Sequence, residues 1–121
     1  MASRTTFDVK SHEVSSVTIA GSFAVSTATV VSDITGKGYT AVKTTTGVVT
    51  ITFDDVWPDL LSAVATLQLG TASDQFAQIG VYTASAKTLV INLWDISGAA
   101  LANPANAGRI NFRCTFDNST A

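Results

Sequence analysis

The apolar residues of this chain come in short alternating runs, and no run is long enough to be anything but a strand. From Val48 to Phe53, Val49, Ile51 and Phe53 fall on one side and Thr50 and Thr52 on the other. That period of two is the signature of extended backbone with one face buried and one wet. Tyr39 to Thr45 alternates in the same way, Tyr39, Ala41 and Lys43 against Thr40, Val42 and Thr44, and Thr46-Gly47 joins the two segments as a hairpin. A second hairpin is predicted from Phe76 to Thr83 and Thr88 to Trp94 around the turn Ala84 to Ala86, closed by Asp95 to Gly98. The last run, Arg109 to Phe116, sets Ile110, Phe112, Cys114 and Phe116 opposite Asn111, Arg113 and Thr115.

Between these segments the punctuation is explicit. Val17 to Ala20 and Phe23 to Val31 are β-branched runs split by Gly21-Ser22, and the two glycines of Asp33 to Gly38 predict a loop. Pro58 has no N–H and biases Trp57 toward extended backbone, so a strand is expected to stop there. One helical turn capped by Asp59 is expected to follow, before alternation resumes over Ala63 to Leu69. The small inward residues Ala63 and Ala65 imply close approach of another layer or chain. Ala100 to Gly108 reads as a loop turned at Asn103-Pro104.

About eight strands at a spacing of roughly 8 to 12 residues predict an all-β fold, a two-sheet antiparallel β-sandwich of jelly-roll type. The gaps between strands hold no crossover helix, which excludes a parallel α/β sheet. Residues 1–13 carry Arg4, Asp8, Lys10, His12 and Glu13, with Phe7 and Val9 alternating among them, and suit an extended N-terminal arm that needs a surface to lie on. Residues 14–121 then form the sandwich. The first residues hold no apolar core of signal-peptide length.

Only 13% of the residues are charged, with a formal net charge of −2, against roughly 25% charged in an average soluble domain. Seven Lys and Arg against nine Asp and Glu give no basic footprint, so nucleic acid is not an expected partner. No uninterrupted apolar run of spanning length is present, so neither is a membrane. No catalytic site, metal site or cofactor is expected. The single His12 sits in the arm, away from any strand mouth where a triad would be assembled, and Cys114 lies on an apolar strand face as an inert thiol. Asp54, Asp55 and Asp59 form the one acidic cluster. It lacks the spacing of a calcium loop and reads as solvated turn residues plus a cap. Glycines occur singly, never as a phosphate-binding loop. Trp57 and Trp94 near loop ends are candidate interface anchors, with sugar stacking as the alternative use of the same rings.

Residues 36–69 and 87–120 together carry a recognisable set of elements. These are a Gly-rich opening, the strand Thr50–Phe53 (TITF), the acidic Trp-Pro turn around Trp57, the strand Ala65–Gln68 (ATLQ), a D-x-x-G turn at Asp95–Gly98, the Asn103–Ala105 loop, and a closing strand beginning Arg109–Phe112 (RINF) and ending in Asn118-Ser119. In this the chain resembles the small all-β virion proteins of tailed bacteriophages, in particular capsid decoration or cement proteins. The resemblance implies a non-enzymatic homotrimer, made in the host cytoplasm. It would sit on the outer capsid surface, bind the major capsid protein and reinforce capsomer junctions. Arg4, Phe7, Val9, Trp57 and Trp94 are the candidate interface residues. The alternative is a tail-fibre or head-fibre tip that binds a host surface glycan through Trp57, Trp94 or nearby tyrosines. A glycan hydrolase using the Asp54, Asp55 and Asp59 cluster is the enzymatic class the same residues allow.

Overall fold

The computed structural model describes residues 16–117. Its strands are β1 (Ser16–Val25), β2 (Val31–Gly36), β3 (Tyr39–Thr45), β4 (Val48–Phe53), β5 (Asp59–Leu69), β6 (Gln75–Thr83), β7 (Thr88–Asp95), β8 (Ala100–Leu101) and β9 (Gly108–Asp117). They build two antiparallel sheets, one in the order β2-β1-β9-β5, the other in the order β3-β4-β7-β6 with β8 added beside the end of β7. The protein is therefore an all-β, two-sheet sandwich. The expected N-terminal arm, residues 1–13, lies outside the described residues.

Alternation accounts for the core directly. Phe23, Ile110, Cys114 and Phe116 from the first sheet meet Val49, Ile51, Phe53, Leu89, Ile91 and Leu93 from the second, all essentially inaccessible to water. Burying each such aliphatic or aromatic side chain contributes about 1.5–3 kcal/mol. Phe116 is the hub at one end. It meets Phe53 edge-on at 4.9 Å, Tyr82 at 5.4 Å and the ring of Trp57 in a stacked arrangement at 6.0 Å.

Four local expectations need correction. Gly21-Ser22 does not divide two strands, because β1 runs straight through it and pairs continuously with β9 from Ser16 to Val25. The glycine is there for close approach: the Tyr39 ring lies against it, and the Tyr39 hydroxyl donates to the carbonyls of Thr35 and Ser22. The long run Phe23 to Val31 is broken instead at residues 26–30, where Thr29 takes a positive φ of 59° and its N–H donates to the Ser26 carbonyl.

Asp33 to Gly36, expected as loop, belongs to edge strand β2, held by pairing with β1 despite an almost wholly exposed sequence. Asp59 does not cap a helical turn, since β5 begins at that residue. A bulge between Leu60 and Ser62 absorbs the extra residue, so the inward row Leu60, Ala63, Ala65, Leu67 stays in phase with β9. The segment Ala100 to Gly108, expected as loop throughout, opens with β8 at Ala100–Leu101, a strand of two residues that is too short to show alternation.

Gly21 and Gly98 offer a matched test. A Cβ at Gly21 would collide with the Tyr39 ring, while a Cβ at Gly98 would meet nothing within 4 Å. Gly21→Ala is expected to lower unfolding free energy by about 1–3 kcal/mol, the scale of an overpacked core, and Gly98→Ala to leave it within about 0.5 kcal/mol. Urea denaturation followed by tryptophan fluorescence measures both.

Candidate functional site

The two sheets present outer faces of different chemistry. On the β1-β9-β5 face, cross-strand registers set Thr18, Thr115 and Ser62 in one row, Ala20, Arg113 and Val64 in the next, then Ser22, Asn111 and Thr66, then Ala24, Arg109 and Gln68. Several of these side chains bond to one another: Thr18 to Thr115 at 3.3 Å, and the Asn111 amide to Gln68 Oε1 at 3.2 Å. Arg109 is engaged in its own corner. It donates to Ser22 Oγ, to the Asp33 carboxylate at 2.8 Å and to the Asp33 carbonyl. Arg113 stands exposed near the middle of the face.

On the other sheet, β6, β7 and β8 bring Phe76, Trp94 and Leu101 into one outward row. Phe76 is 42% exposed. The Trp94 indole Nε1–H donates to Gln78 Oε1 at 2.6 Å, which fixes the ring plane on the sheet. Gln78 is itself the cross-strand partner of Asn92, so an amide row lies directly beside the aromatic one.

The two tryptophans therefore do not form one platform. Trp57 lies half-buried at the far end of the sandwich against Phe116, and its carbonyl accepts from the Tyr82 hydroxyl. Tyr82 pairs with Leu89, five residues along β7 from Trp94, roughly 17 Å of strand. Trp57 is a core-closing residue whose buried indole N–H finds no acceptor among the described residues. Arg4, Phe7, Val9 and His12 lie outside the described residues.

The acidic cluster is dispersed by the fold. Asp54 and Asp55 sit in the exposed turn after β4, where the Asp54 N–H donates to the Gly38 carbonyl, whereas Asp59 opens β5 opposite Asp117. Among the described residues, no three His, Cys, Asp or Glu side chains are grouped to hold a metal ion. Cys114 is fully buried, and burial pushes its thiol up to about 11, leaving no thiolate nucleophile near neutral pH. Burial likewise raises Tyr39 and Tyr82 above the usual tyrosine value.

Sequence reasoning singled out Trp94 but missed its partners. Phe76 and Gln78 carry no motif, and only the β6–β7 register places them around the indole. Comparison of the chain with protein-family models, with curated proteins and with solved structures finds no match.

The raised thiol has a testable consequence. The unfolded state ionises Cys114 near its ordinary 9.0 while the native state holds the proton to about 11, so the native state binds more protons across that interval. Stability contributed by the neutral thiol is complete below pH 9 and is lost as pH rises toward 11. In equilibrium denaturation at several pH values, Cys114→Ala is expected to show a shallower decline between pH 9 and 11 than the wild type, whatever its stability at pH 7.

Proposed function

We propose that this protein is a capsid decoration protein of a tailed bacteriophage, binding the outer head surface as a homotrimer and stabilising capsomer junctions through the major capsid protein. The observation that carries this reading is the β1-β9-β5 outer face. It is a ladder of mostly Thr, Ser, Ala, Asn and Gln side chains with exposed Val64 among them, Arg109 paired to Asp33 at one corner and Arg113 as an exposed cation near the middle. Short side chains lose little rotamer entropy when a partner orders them, and a face with few charges has little to desolvate. Three modest contacts made by one trimer act together, because the second and third are intramolecular once the first has formed.

The finer parts of the expectation belong to the same reading. A jelly roll is a long hairpin rolled up, with its first strand beside its last. The pairing of β1 with β9 and of β4 with β7 supports that winding for six strands, β1, β4, β5, β6, β7 and β9, with the β2 and β3 edge strands as an insertion. Against it stand the β1-β2 and β3-β4 hairpins, which stay within one sheet. Arg4, Phe7 and Val9, in the expected arm, enter this proposal as contacts with the shell or a neighbouring subunit. The outer capsid is the location it implies.

Native mass spectrometry is expected to give three times the 12.6 kDa chain mass. Purified protein added to expanded, undecorated phage heads is expected to bind saturably and raise their thermal rupture temperature. Arg113→Glu should weaken that binding while leaving the urea midpoint unchanged. A stable monomer that associates with no head would overturn the proposal.

A further inference from the structure

The outer face of the second sheet carries a tile of two aromatic and two amide side chains that the core does not need. Phe76 and Trp94 face each other across β6 and β7, and Gln78 and Asn92 form the adjoining cross-strand pair. Rows two residues apart on a strand are separated by roughly 7 Å, the span of one sugar ring with its hydroxyls. We propose that this tile is a binding site for a neutral saccharide chain, with a pyranose C–H face on the Trp94 indole and hydroxyls on the Gln78 and Asn92 amides.

Three observations support a built site over a chance patch. The Trp94 Nε1–H bond to Gln78 holds the indole in place before any ligand arrives, so little ordering cost falls on binding. Gly80, next but one to Gln78 on β6, leaves room for the Asn92 amide, since a Cβ there would come within 3.0 Å of Asn92 Nδ2. The loop that returns from β8 to β9 is tied down by side-chain amides. Gln75 donates to the Asn103 carbonyl at 2.8 Å and accepts from the Ala105 N–H at 2.7 Å, and Asn106 exchanges two bonds with Thr71. The position of Leu101 beside Trp94 is thereby fixed.

Charge selects the ligand. Within the described residues, neither row of the tile registers a charged side chain: Trp94 stands between Phe76 and Leu101, and Asn92 between Gln78 and Val48. With no cation in either row to pair a carboxylate, the tile favours uncharged sugars over uronic and sialic acids. Neither this selection nor the tile itself involves the β1-β9-β5 face proposed to meet the shell, so the two readings fail independently.

The experiment is a glycan array of neutral and anionic oligosaccharides probed with the whole protein, followed by titration of the best neutral binder against tryptophan fluorescence. Saturable binding to at least one neutral saccharide is expected. Trp94→Ala should weaken it by about tenfold, the scale of a lost aromatic contact, with Trp94→Tyr restoring most of it. Gln78→Ala provides a second variant that leaves the core untouched and is expected to weaken binding severalfold. Binding of no neutral saccharide, binding confined to anionic glycans, or affinity unchanged in both Trp94→Ala and Gln78→Ala would each overturn the proposal.

Discussion

The position of β9 between β1 and β5 is the constraint on which the rest of the structure depends. Its ten residues pair on both sides, from Gly108 to Asp117, so one strand sets the register of the whole first sheet. Its inward row, Ile110, Phe112, Cys114 and Phe116, is buried throughout. A slip of one residue would turn Arg109, Asn111, Arg113 and Thr115 into the core and Phe116 out into water. The last long strand of the chain thus organises the first, and the fold is complete only when residues nearly a hundred positions apart have met.

The two ends of the sandwich are finished by different chemistry. Around Phe116 the closure is aromatic, with Trp57 stacked beneath the β4-β5 turn and Tyr82 anchoring that turn by its hydroxyl. The Trp57 indole N–H, without a partner among the described residues, is there a local cost of the order of 1–3 kcal/mol for a buried donor, set against the apolar area the ring covers. At the opposite end the closure is polar: Gln75, Asn103 and Asn106 bind loop to loop, and buried Thr29 donates to Asn103. A rigid polar end lets the neighbouring Phe76–Trp94 row stay partly exposed without that part of the sheet losing its shape. The two outer faces differ over β6 and β7: the first sheet carries mainly hydroxyl and amide side chains, while the second, rich in threonine over β3 and β4, adds the aromatic tile.

Much of the sandwich is legible in the residues themselves. Val48 to Phe53 alternates cleanly because both its neighbours, β3 and β7, share the same buried face, and its bounds in the structure are those of the pattern. Edge strands are harder to read. β2 buries almost nothing, so no alternation marks it, and it exists because β1 offers an unpaired edge. β5 departs from a clean period of two at Leu61, where a bulge consumes one residue, and the interruption mimics the start of a helical turn. Glycine is ambiguous for a similar reason: at Gly21 its missing side chain serves a ring from another strand, and sequence alone cannot tell that use from a turn.

The same division runs through the candidate sites. By itself the sequence determines an all-β chain, poor in charge, with a buried thiol, alternating apolar rows and two conspicuous tryptophans, because these follow from residue type and local period. Only the tertiary structure decides that Trp57 closes the core while Trp94 faces outward, and that Gln78 and Phe76 surround the latter. It also decides that Asp59 stands apart from the Asp54-Asp55 turn, opposite Asp117. The physical reason is cross-strand register. Which side chains become neighbours on a sheet is settled by the pairing of segments distant in sequence, and period-two alternation says which face a residue takes but not who sits beside it.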